Sequence, residues 1–282
     1  MSSKKIKKIK LVSDYFKEDM IGGASLCDEE MYNVLKAEFN VVKIKSKDLK
    51  LKDLIKQDAH FLISNFFHIH PEFLEYISSN LEYSHYAHDY KFVKHTNPNI
   101  YKNFIVPKPE LVNLNFFKNS KKVFCQSELQ KSIYDKNIES DTVNLSGNFF
   151  SDDTLKKLSS KSNCKKNNKT AIIDSPYPQK GVKESVEYCK KNNIKYEIIS
   201  SDSNERFIDM LSQFSQLCFL PNTPETLCRV VVEAKMLGLD IITNDLIGAK
   251  KEPWFNLKGG SLCDYFYNFK IESLKNISNI IS

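Results

Sequence analysis

Two acidic residues, Glu225 and Glu233, follow a predicted buried strand in the spacing Glu-x7-Glu. Thr223 suits a helix cap and Pro224 suits a first helical turn, so the pattern predicts a helix over 226–237. With 3.6 residues per turn, both carboxylates then lie on nearly the same face, about two turns apart. One can accept hydrogen bonds from a sugar ring and the other from ribose hydroxyls, beside a helix N-terminus that favours phosphate. The alternative for such a pair is a solvated helix surface.

A basic side chain, Lys180, lies in the loop Asp174–Gly181, which follows a predicted strand and precedes a predicted helix. The prolines of this loop stiffen the turn. We expect Lys180 to project its ammonium group into a cleft, where a compact positive charge suits a diphosphate. The alternative is an exposed loop lysine, one among many in this chain.

Paired glycines, Gly22 and Gly23, stand between the first predicted strand and a predicted helix. Glycines let the backbone approach a ligand closely, and the amides of a helix N-terminus favour an anion. The spacing does not support the GxGxxG fingerprint of dinucleotide-binding proteins, and it excludes a P-loop. A flexible turn without a ligand is the alternative.

All six histidines lie between His60 and His95. His68 with His70, or His85 with His88, could be metal ligands, but the spacing fits no compact zinc pattern and no cysteine pair accompanies it, so we predict no metal site. His88 follows a predicted strand over 83–86. At that position its ring would face a cleft and could hydrogen-bond a sugar hydroxyl or a phosphate. A histidine satisfied within a loop is the alternative.

Short apolar runs alternate with helical patterns along the chain. This alternation predicts an α/β fold, with parallel sheets covered by helices on both faces. Ser127 and Gln130 form a capping box that starts a further helix just after a strand. The predicted strands are 9–13, 41–45, 60–64, 83–86, 123–126, 170–174, 196–199, 217–220 and 240–243, and the predicted helices include 25–39, 183–192, 205–213 and 226–237.

The chain divides near its middle. Residues 151–169 are rich in Ser, Lys and Asn and poor in large apolar side chains, which predicts a linker. It would join an N-terminal domain over 1–150 to a second domain over 170–265, and we expect a C-terminal helix over 266–282. Two α/β domains joined in this way usually bind a ligand between them, beyond the carboxyl ends of their strands.

Composition limits the possible partners and compartments. The 282 residues carry a net charge of +6 from dispersed lysines and only two arginines, which argues against an obligatory nucleic-acid partner. No apolar run is long enough to span a membrane, while the basic stretch Lys4–Lys10 suits a peripheral contact with an anionic membrane surface. Seven cysteines without CxxC spacing predict reduced thiols and a cytoplasmic protein.

The chain resembles the retaining GT-B glycosyltransferases, family 4 in particular, over residues 11–249. The resemblance is most specific at the Glu-x7-Glu motif and implies two Rossmann-like domains with parallel sheets that face each other across a cleft. It also implies a nucleotide-diphosphate sugar, UDP- or GDP-linked, as donor substrate, with no cofactor and no essential metal. The matching residues are Glu225-x7-Glu233-Ala234, Lys180-Gly181, Gly22-Gly23, His88-Asp89-Tyr90 and the segment Asn144–Phe150.

Most of the donor contacts implied by this resemblance come from the second domain. Glu225 would contact the donor sugar and Glu233 the nucleotide ribose. The amides of Thr226 and Leu227 would hold phosphate, and Lys180 would offset charge on the departing diphosphate. In the first domain, the resemblance implies that Gly22 and Gly23 admit the phosphates. It also implies that His88 lies beside the donor sugar or the acceptor hydroxyl. Glu225, His88 and Lys180 are thereby the implied catalytic residues.

This sequence departs from the family pattern at several positions. The family commonly has an arginine six residues before the lysine, where this chain has Asp174, and a glycine where it has Cys228. A carboxylate cannot bind diphosphate, so part of the donor clamp is missing or supplied elsewhere. Arg229 lies inside the Glu-x7-Glu motif and suits a structural role, whereas Arg206 is a possible substitute from a loop.

The resemblance implies a hexosyltransferase that moves a sugar, with retention, to a hydroxyl of a glycan, lipid or other carbohydrate or glycoconjugate acceptor. Two alternatives remain open. One is a catalytically impaired module that binds sugar nucleotides on the same fold, which Asp174 favours. The other is a glycosyltransferase that acts on modified nucleic-acid bases, which the positive charge permits and the dispersed lysines oppose.

Overall fold

The computed structural model describes residues 8–55, 59–201 and 203–281. Six parallel strands form the first sheet, in the order β2-β1-β3-β4-β5-β6. Their bounds are β1 (Lys8–Ser13), β2 (Asn40–Lys45), β3 (Ala59–Ile63), β4 (Tyr83–Tyr86), β5 (Val123–Cys125) and β6 (Thr142–Asn144).

A second parallel sheet of four strands follows, in the order β10-β9-β7-β8. Its strands are β7 (Thr170–Ile173), β8 (Tyr196–Ile199), β9 (Gln216–Phe219) and β10 (Asp240–Thr243). The helices are α1 (Gly23–Leu35), α2 (Leu51–Ile55), α3 (Pro71–Asn80), α4 (Leu114–Asn119), α5 (Glu128–Asp135), α6 (Asp152–Lys161), α7 (Val182–Lys191), α8 (Asn204–Leu211), α9 (Arg229–Met236) and α10 (Gly259–Ile281).

The predicted α/β class with two parallel sheets is confirmed, and each predicted strand has a counterpart within one residue at either end. Strand β6 was not predicted. It has three residues, of which only Val143 is apolar, so no periodic pattern marks it. It pairs with β5 at the edge of the first sheet, and Val143 lies opposite Phe124.

The two sheets share one apolar core. A continuous cluster of buried side chains runs from Leu11 of β1 through Phe150 to Leu217 of β9, Val232 of α9 and Phe266 of α10. Helix α10 packs on α6 and α9 and also touches α1 of the first half. The cluster therefore fixes the two sheets in one arrangement, with their loops facing each other.

The segment predicted as a linker, 151–169, is not simply extended, because it carries α6. Ser151 accepts a hydrogen bond from the Thr154 amide at 3.0 Å and so caps the helix, while Leu155 and Leu158 bury the inner face. The polar composition reflects an outer helix face. Helix α10 begins at Gly259, seven residues before the predicted start of the C-terminal helix. The domain boundaries themselves stay a prediction.

Removing the cap of α6 tests how much the cap stabilises the fold. We expect Ser151→Ala to lower the free energy of unfolding by about 1 kcal/mol, because the Thr154 amide loses its acceptor. Urea unfolding measures the change. Ser160→Ala on the same helix, where the hydroxyl donates only to the carbonyl of Lys157, should cost less. An unchanged midpoint for Ser151→Ala would mean that this cap contributes nothing to the stability of the fold.

The basic stretch Lys4–Lys10, predicted to touch a membrane surface, lies mostly outside the described residues, and only its last three residues are seen, in β1. None of the described helices is both long enough and apolar enough to cross a bilayer. All seven cysteines are among the described residues, and all are free thiols.

The order of the strands decides where a ligand could bind. In the first sheet, β1 lies between β2 and β3. The chain therefore moves to one side of β1 to form β2 and to the other side to form β3, and the strand order reverses there. In the second sheet, β7 is flanked by β8 and β9 in the same way. Such reversals open a crevice beyond the carboxyl ends of the strands. The loops after β1 and β7 carry the predicted Gly22-Gly23 and Lys180.

Candidate functional site

A cavity of about 630 Å³ lies between the two halves of the chain. It is bounded by the loops that follow β1, β4 and β5 of the first sheet and β7, β8 and β9 of the second. All but one of the residues predicted for the site line it. These are Gly22, Gly23, His88, Lys180, Glu225, Thr226 and Glu233.

Lys180 and Glu225 form an ion pair at the edge of the cavity, with 2.7 Å between Lys180 Nζ and Glu225 Oε1. Burial alone would lower the pKa of Lys180, but the Glu225 carboxylate raises it above its ordinary value, so the lysine stays charged. Gly181 positions this lysine: its φ is +68°, and a Cβ there would come within 1.7 Å of the carbonyl oxygen of Leu220. The loop after β7 therefore lies directly against the end of β9.

The helix that carries the second glutamate starts later than predicted. Residues 226–228 are not helical, and α9 begins at Arg229. Instead, Glu225 donates its amide to the carbonyl of Leu246, and its carbonyl accepts from the amide of Gly248, so Glu225 forms an isolated parallel bridge with Ile247 in the loop after β10. The predicted cap at Thr223 and first helical turn at Pro224 are therefore wrong.

Cys228, immediately before α9, has φ +77°, in the left-handed region that glycine prefers. This conformation explains why a glycine suits the position. The amides without an intrahelical acceptor at this helix start are those of Arg229 and Val230, and both residues line the cavity. Leu227 is the predicted residue that does not line it, because its side chain is buried in the core.

Glu233 lies in the cavity wall, and its Oε1 accepts a hydrogen bond from Arg229 Nε at 2.9 Å. Burial raises the pKa of Glu233, and the adjacent guanidinium opposes that rise. Arg229 also donates through Nη1 to the carbonyl of Phe149 and stacks on Phe150, 4.0 Å from the ring centre. The arginine thus links the second sheet's helix to the segment that leaves the first sheet.

The paired glycines begin α1, with Gly22 as its cap and Gly23 as its first residue. Gly22 has an extended backbone, so neither glycine is required by a left-handed conformation. The glycines instead leave open space between the starts of two helices. A Cβ on Gly23 would lie 4.0 Å from the Arg229 side chain, so the N-termini of α1 and α9 approach each other across the cavity. Both helix starts present amides to the same space.

His88 is held by a buried carboxylate that was not predicted. Its Nε2–H donates to Asp28 Oδ1 at 2.6 Å, and Asp28 is fully buried in α1. The other carboxylate oxygen accepts from the hydroxyls of Ser13 and Ser64, each at 2.7 Å. Because Nε2 carries the proton, Nδ1 is left as an acceptor, and the side-chain amide of Gln126 approaches it at 3.3 Å.

The histidines considered as metal ligands have other partners. His85 is buried, Nδ1 lies 2.8 Å from the carbonyl of Ile63, and burial lowers its pKa to about 3. His68 contacts the hydroxyl of Tyr15. Among the described residues, Cys27 lies near Asp28 and His88 with metal-ligand spacing, but burial raises the pKa of its thiol to about 12 and so disfavours the thiolate.

The structure places the two residues at which charge departs from the family pattern, Asp174 and Arg206. Asp174 lines the cavity, so a carboxylate stands where a cation was expected. Arg206 lies on α8 rather than in a loop. Among the described residues, two cations, Lys180 and Arg229, face three carboxylates in this wall, those of Asp174, Glu225 and Glu233. Both cations are already engaged by one of these carboxylates.

Sequence reasoning missed the contacts of Asp28 and of Arg229. Asp28 and His88 are 60 residues apart in the sequence. They come together because α1 follows β1 and the His88 loop follows β4 at the same edge of the first sheet. Arg229 offered a weak signal, because it stands four residues before Glu233, the spacing of a helical ion pair.

No protein-family model and no curated protein matches this chain. Solved structures do. HepE (Alr3699) of Anabaena in complex with UDP and glucose is similar at a TM-score of 0.53 and 14% identity, covering 98% of this chain and 92% of that chain. The same protein in complex with UDP-glucose gives a TM-score of 0.52 at 15% identity and the same coverage. The chain thus has the GT-B glycosyltransferase fold that the sequence predicted.

Proposed function

We propose that this chain is a retaining glycosyltransferase that moves a hexose from a UDP- or GDP-linked donor to a hydroxyl of a carbohydrate or glycoconjugate. One observation carries the proposal: the Lys180–Glu225 pair and the two facing helix N-termini border a single cavity of about 630 Å³. That volume is in the range of small-molecule sites. The complexes of HepE with UDP and with UDP-glucose support a uridine nucleotide as donor.

The diphosphate would occupy the space between the starts of α1 and α9. Gly23 and Val230 line that space in the first turns of their helices, and the dipoles of both helices favour negative charge there. Lys180 supplies a full positive charge at the same edge. Glu233, whose Oε2 is not used by Arg229, would accept from the ribose hydroxyls.

The chemistry requires a leaving diphosphate to be stabilised as the sugar becomes oxocarbenium-like. Preorganised positive groups around the diphosphate do this most effectively in a site that excludes water. Glu225 would orient the sugar ring while its ion pair positions Lys180. In a front-face retaining reaction the leaving phosphate accepts the acceptor's proton. His88 Nδ1 would accept from a sugar hydroxyl in place of its 3.3 Å contact with the side-chain amide of Gln126, which also donates to the carbonyl of Ala87.

A second candidate function is binding of a sugar nucleotide without transfer. The observation that favours it is the charge of the wall, where Asp174 adds a carboxylate and both cations are engaged. Such a wall binds a diphosphate less tightly than one with an extra arginine. The two candidates differ only in turnover.

Turnover and binding can be separated on one panel of UDP- and GDP-linked sugars. A bound donor stabilises the fold by about 2.7 kcal/mol at 100 times its Kd, which a thermal melt detects. A transferase also releases nucleoside diphosphate, and the anomeric coupling in the product's NMR spectrum reports retention. Stabilisation without release would select the binding module. Neither stabilisation nor release with any donor would contradict both proposals.

Asp28 is expected to act as a positioning residue for His88. We expect Asp28→Asn to lower kcat/KM roughly threefold to tenfold, about 0.7 to 1.4 kcal/mol, because the charge that favours the Nε2–H tautomer is lost. Nitrogen-15 NMR of the His88 ring should show the tautomer change directly. Asp141→Asn, at an exposed ion pair, is the control. An unchanged tautomer with unchanged kcat/KM would refute this role.

A further inference from the structure

The second sheet ends at an unpaired edge. Strand β8 is its last strand, because the chain returns after α8 to form β9 on the far side of β7. Helix α7 packs mainly on β7 and β9, and among the described residues no backbone group bonds to the outer side of β8. Such an open strand edge is a template for pairing with another strand.

The hydrogen-bond pattern of β8 shows which backbone groups face outward. The carbonyls of Lys195 and Ile199 accept from amides of β7 and of the residue that follows it. Because backbone groups alternate in direction along a strand, Glu197 also faces β7, while Tyr196 and Ile198 face away from it. The amides and carbonyls of these two residues have no hydrogen-bond partner in the part of the chain that the structure describes.

The side chains of this segment alternate between the two faces of the sheet. Ile194 and Tyr196 pack in the small apolar core beneath α7. Ile198 shares their face, yet its side chain is 47% exposed. Lys195 and Glu197 lie on the opposite face, and both are exposed. The edge therefore presents an apolar row on one face and one charge of each sign on the other.

A second copy of this chain can pair with this edge in an antiparallel arrangement about a twofold axis. Outward-facing residues must then stand opposite outward-facing residues, which leaves registers centred on Lys195, Tyr196 or Glu197. The first places lysine opposite lysine, and the third places glutamate opposite glutamate. The register centred on Tyr196 instead places Lys195 of each copy opposite Glu197 of the other. Both cross-strand pairs are then attractive, so charge selects this register.

The same register satisfies outward backbone groups. The Tyr196 amide of each copy would donate to the Tyr196 carbonyl of the other, and the Ile198 amide would donate to the Ile194 carbonyl. The Ile194 amide takes no part, because it already donates to the carbonyl of Cys189. The exposed side chain of Ile198 would lie opposite Ile194 and so lose contact with water.

The other sheet edges lack this complementarity. Strand β2 carries lysines but no carboxylate. Strands β6 and β10 have a carboxylate and no lysine, and those carboxylates, Asp141 and Asp240, pair with lysines of the same chain. At β8, Lys195 makes no ion pair with a described residue, and Glu197 uses one oxygen for an exposed pair with Lys169. A lysine usually opposes pairing at an edge, but here a carboxylate two residues further on makes it attractive.

We propose that two copies of this chain pair through the outer edge of β8 and form a twofold-symmetric dimer, in which their four-stranded sheets join into one continuous sheet. Backbone hydrogen bonds supply the attraction, and the Lys195–Glu197 pairs select the register. Contact through one short strand is small, so the dimer should be reversible. The proposal does not depend on sugar transfer, because no residue of β8 lines the cavity between the halves.

Sedimentation equilibrium of the full chain tests the proposal, with protein from about 1 µM to about 1 mM. We expect the mass to rise from the 32.6 kDa of one chain toward twice that value. Glu197→Lys and Lys195→Glu should each weaken the dimer about tenfold or more, because each makes both cross-strand pairs repulsive. Glu139→Lys is the matched control. It makes the same change in charge and also breaks an exposed ion pair, but in the first half, so the dimer should be unchanged.

The two charge variants also test the register. An equimolar mixture of Glu197→Lys and Lys195→Glu should form a mixed dimer about as readily as the wild type, because each lysine then stands opposite a glutamate. The double variant with both substitutions should dimerise by itself for the same reason. A register centred on Glu197 would instead leave Lys195→Glu without effect and make the double variant repulsive.

A proline tests the backbone bonds. Ile198→Pro removes an outward amide and no bond within the sheet, so it should weaken the dimer about tenfold while the melting temperature of the dilute monomer stays within a few degrees. Ile198→Val keeps the amide and most of the apolar surface, and should weaken the dimer less than about twofold.

Three results would overturn the proposal. One is the mass of a single chain at every concentration up to about 1 mM. Another is a dimer that neither Glu197→Lys nor Lys195→Glu weakens, because the contact would then lie elsewhere. The third is a dimer that Ile198→Pro leaves intact, because the copies would then not pair through the strand edge. Restored association in the mixture of charge variants would support both the edge and the register.

Discussion

Replacing Lys180 with alanine is expected to lower kcat/KM for sugar transfer about a hundredfold, or ~2.7 kcal/mol. The lysine is a cation at the edge where the diphosphate would leave, and the negative charge there grows toward the transition state. Its removal also leaves Glu225 without its ion pair at the same edge. Steady-state kinetics with the donor found in the panel measures the loss, and Glu225→Ala should reduce the rate by more than tenfold.

A nearby lysine provides the matched control. Lys183 stands three residues later at the start of α7, and its side chain is 83% exposed. Lys183→Ala should leave kcat/KM unchanged, while Lys180→Arg should retain part of the rate because a positive charge remains. Rates like those of the wild type in both Lys180→Ala and Glu225→Ala would refute the proposed site.

Replacing Arg229 with alanine should have the largest effect on folding. Arg229 and Glu233 are almost completely buried, with side chains 10% and 4% exposed. Truncating one partner leaves the other charge buried without compensation, which costs roughly 3 to 5 kcal/mol. The same change removes the contacts with Phe149 and Phe150 that link the two halves. Urea unfolding of the full chain measures the loss.

The pH dependence of this variant follows from Glu233. Burial raises its pKa above the ordinary 4.5, and loss of the guanidinium should raise it further. A carboxyl with a raised pKa in the folded state stabilises the fold below about 4.5 and loses that contribution as the pH rises through the folded-state pKa. The deficit of Arg229→Ala relative to the wild type should therefore shrink as the pH falls from about 7 to about 5.

Two comparisons make the Arg229 prediction sharp. Glu233→Gln added to Arg229→Ala removes the unpaired charge, so the double variant should be more stable than Arg229→Ala near neutral pH. Lys131→Ala breaks a pair of the same helical spacing with Asp135 at a more exposed surface, and should cost less than about 0.5 kcal/mol. A deficit independent of pH and of Glu233 would place the cost in packing rather than charge.

The strands and the chemical residues could be predicted because each leaves a local signal. Buried strands appear as short apolar runs, and Lys180 and Glu225 lie in the loops that follow two such runs. The start of α9 could not be predicted, because the segment from Glu225 pairs with residues near Leu246. A helix cap pattern is local, and this pairing with a distant loop overrides it.

The partners of the buried carboxylate Asp28 could not be predicted from local sequence patterns either. Asp28 contacts Ser13, Ser64 and His88, which belong to three separate segments of the first half. Only the parallel order of β1, β3 and β4 brings these together. The polar composition of 151–169 did not reveal α6 for a different reason, since a helix with one buried face needs few apolar residues.

A crystal structure of the full chain with UDP is the most direct test of where the donor binds. We expect UDP between the two sheets, with the diphosphate within about 3 Å of Lys180 Nζ and of the amides that open α1 and α9. Nucleotide bound outside this space, or a diphosphate held only by surface lysines, would contradict it.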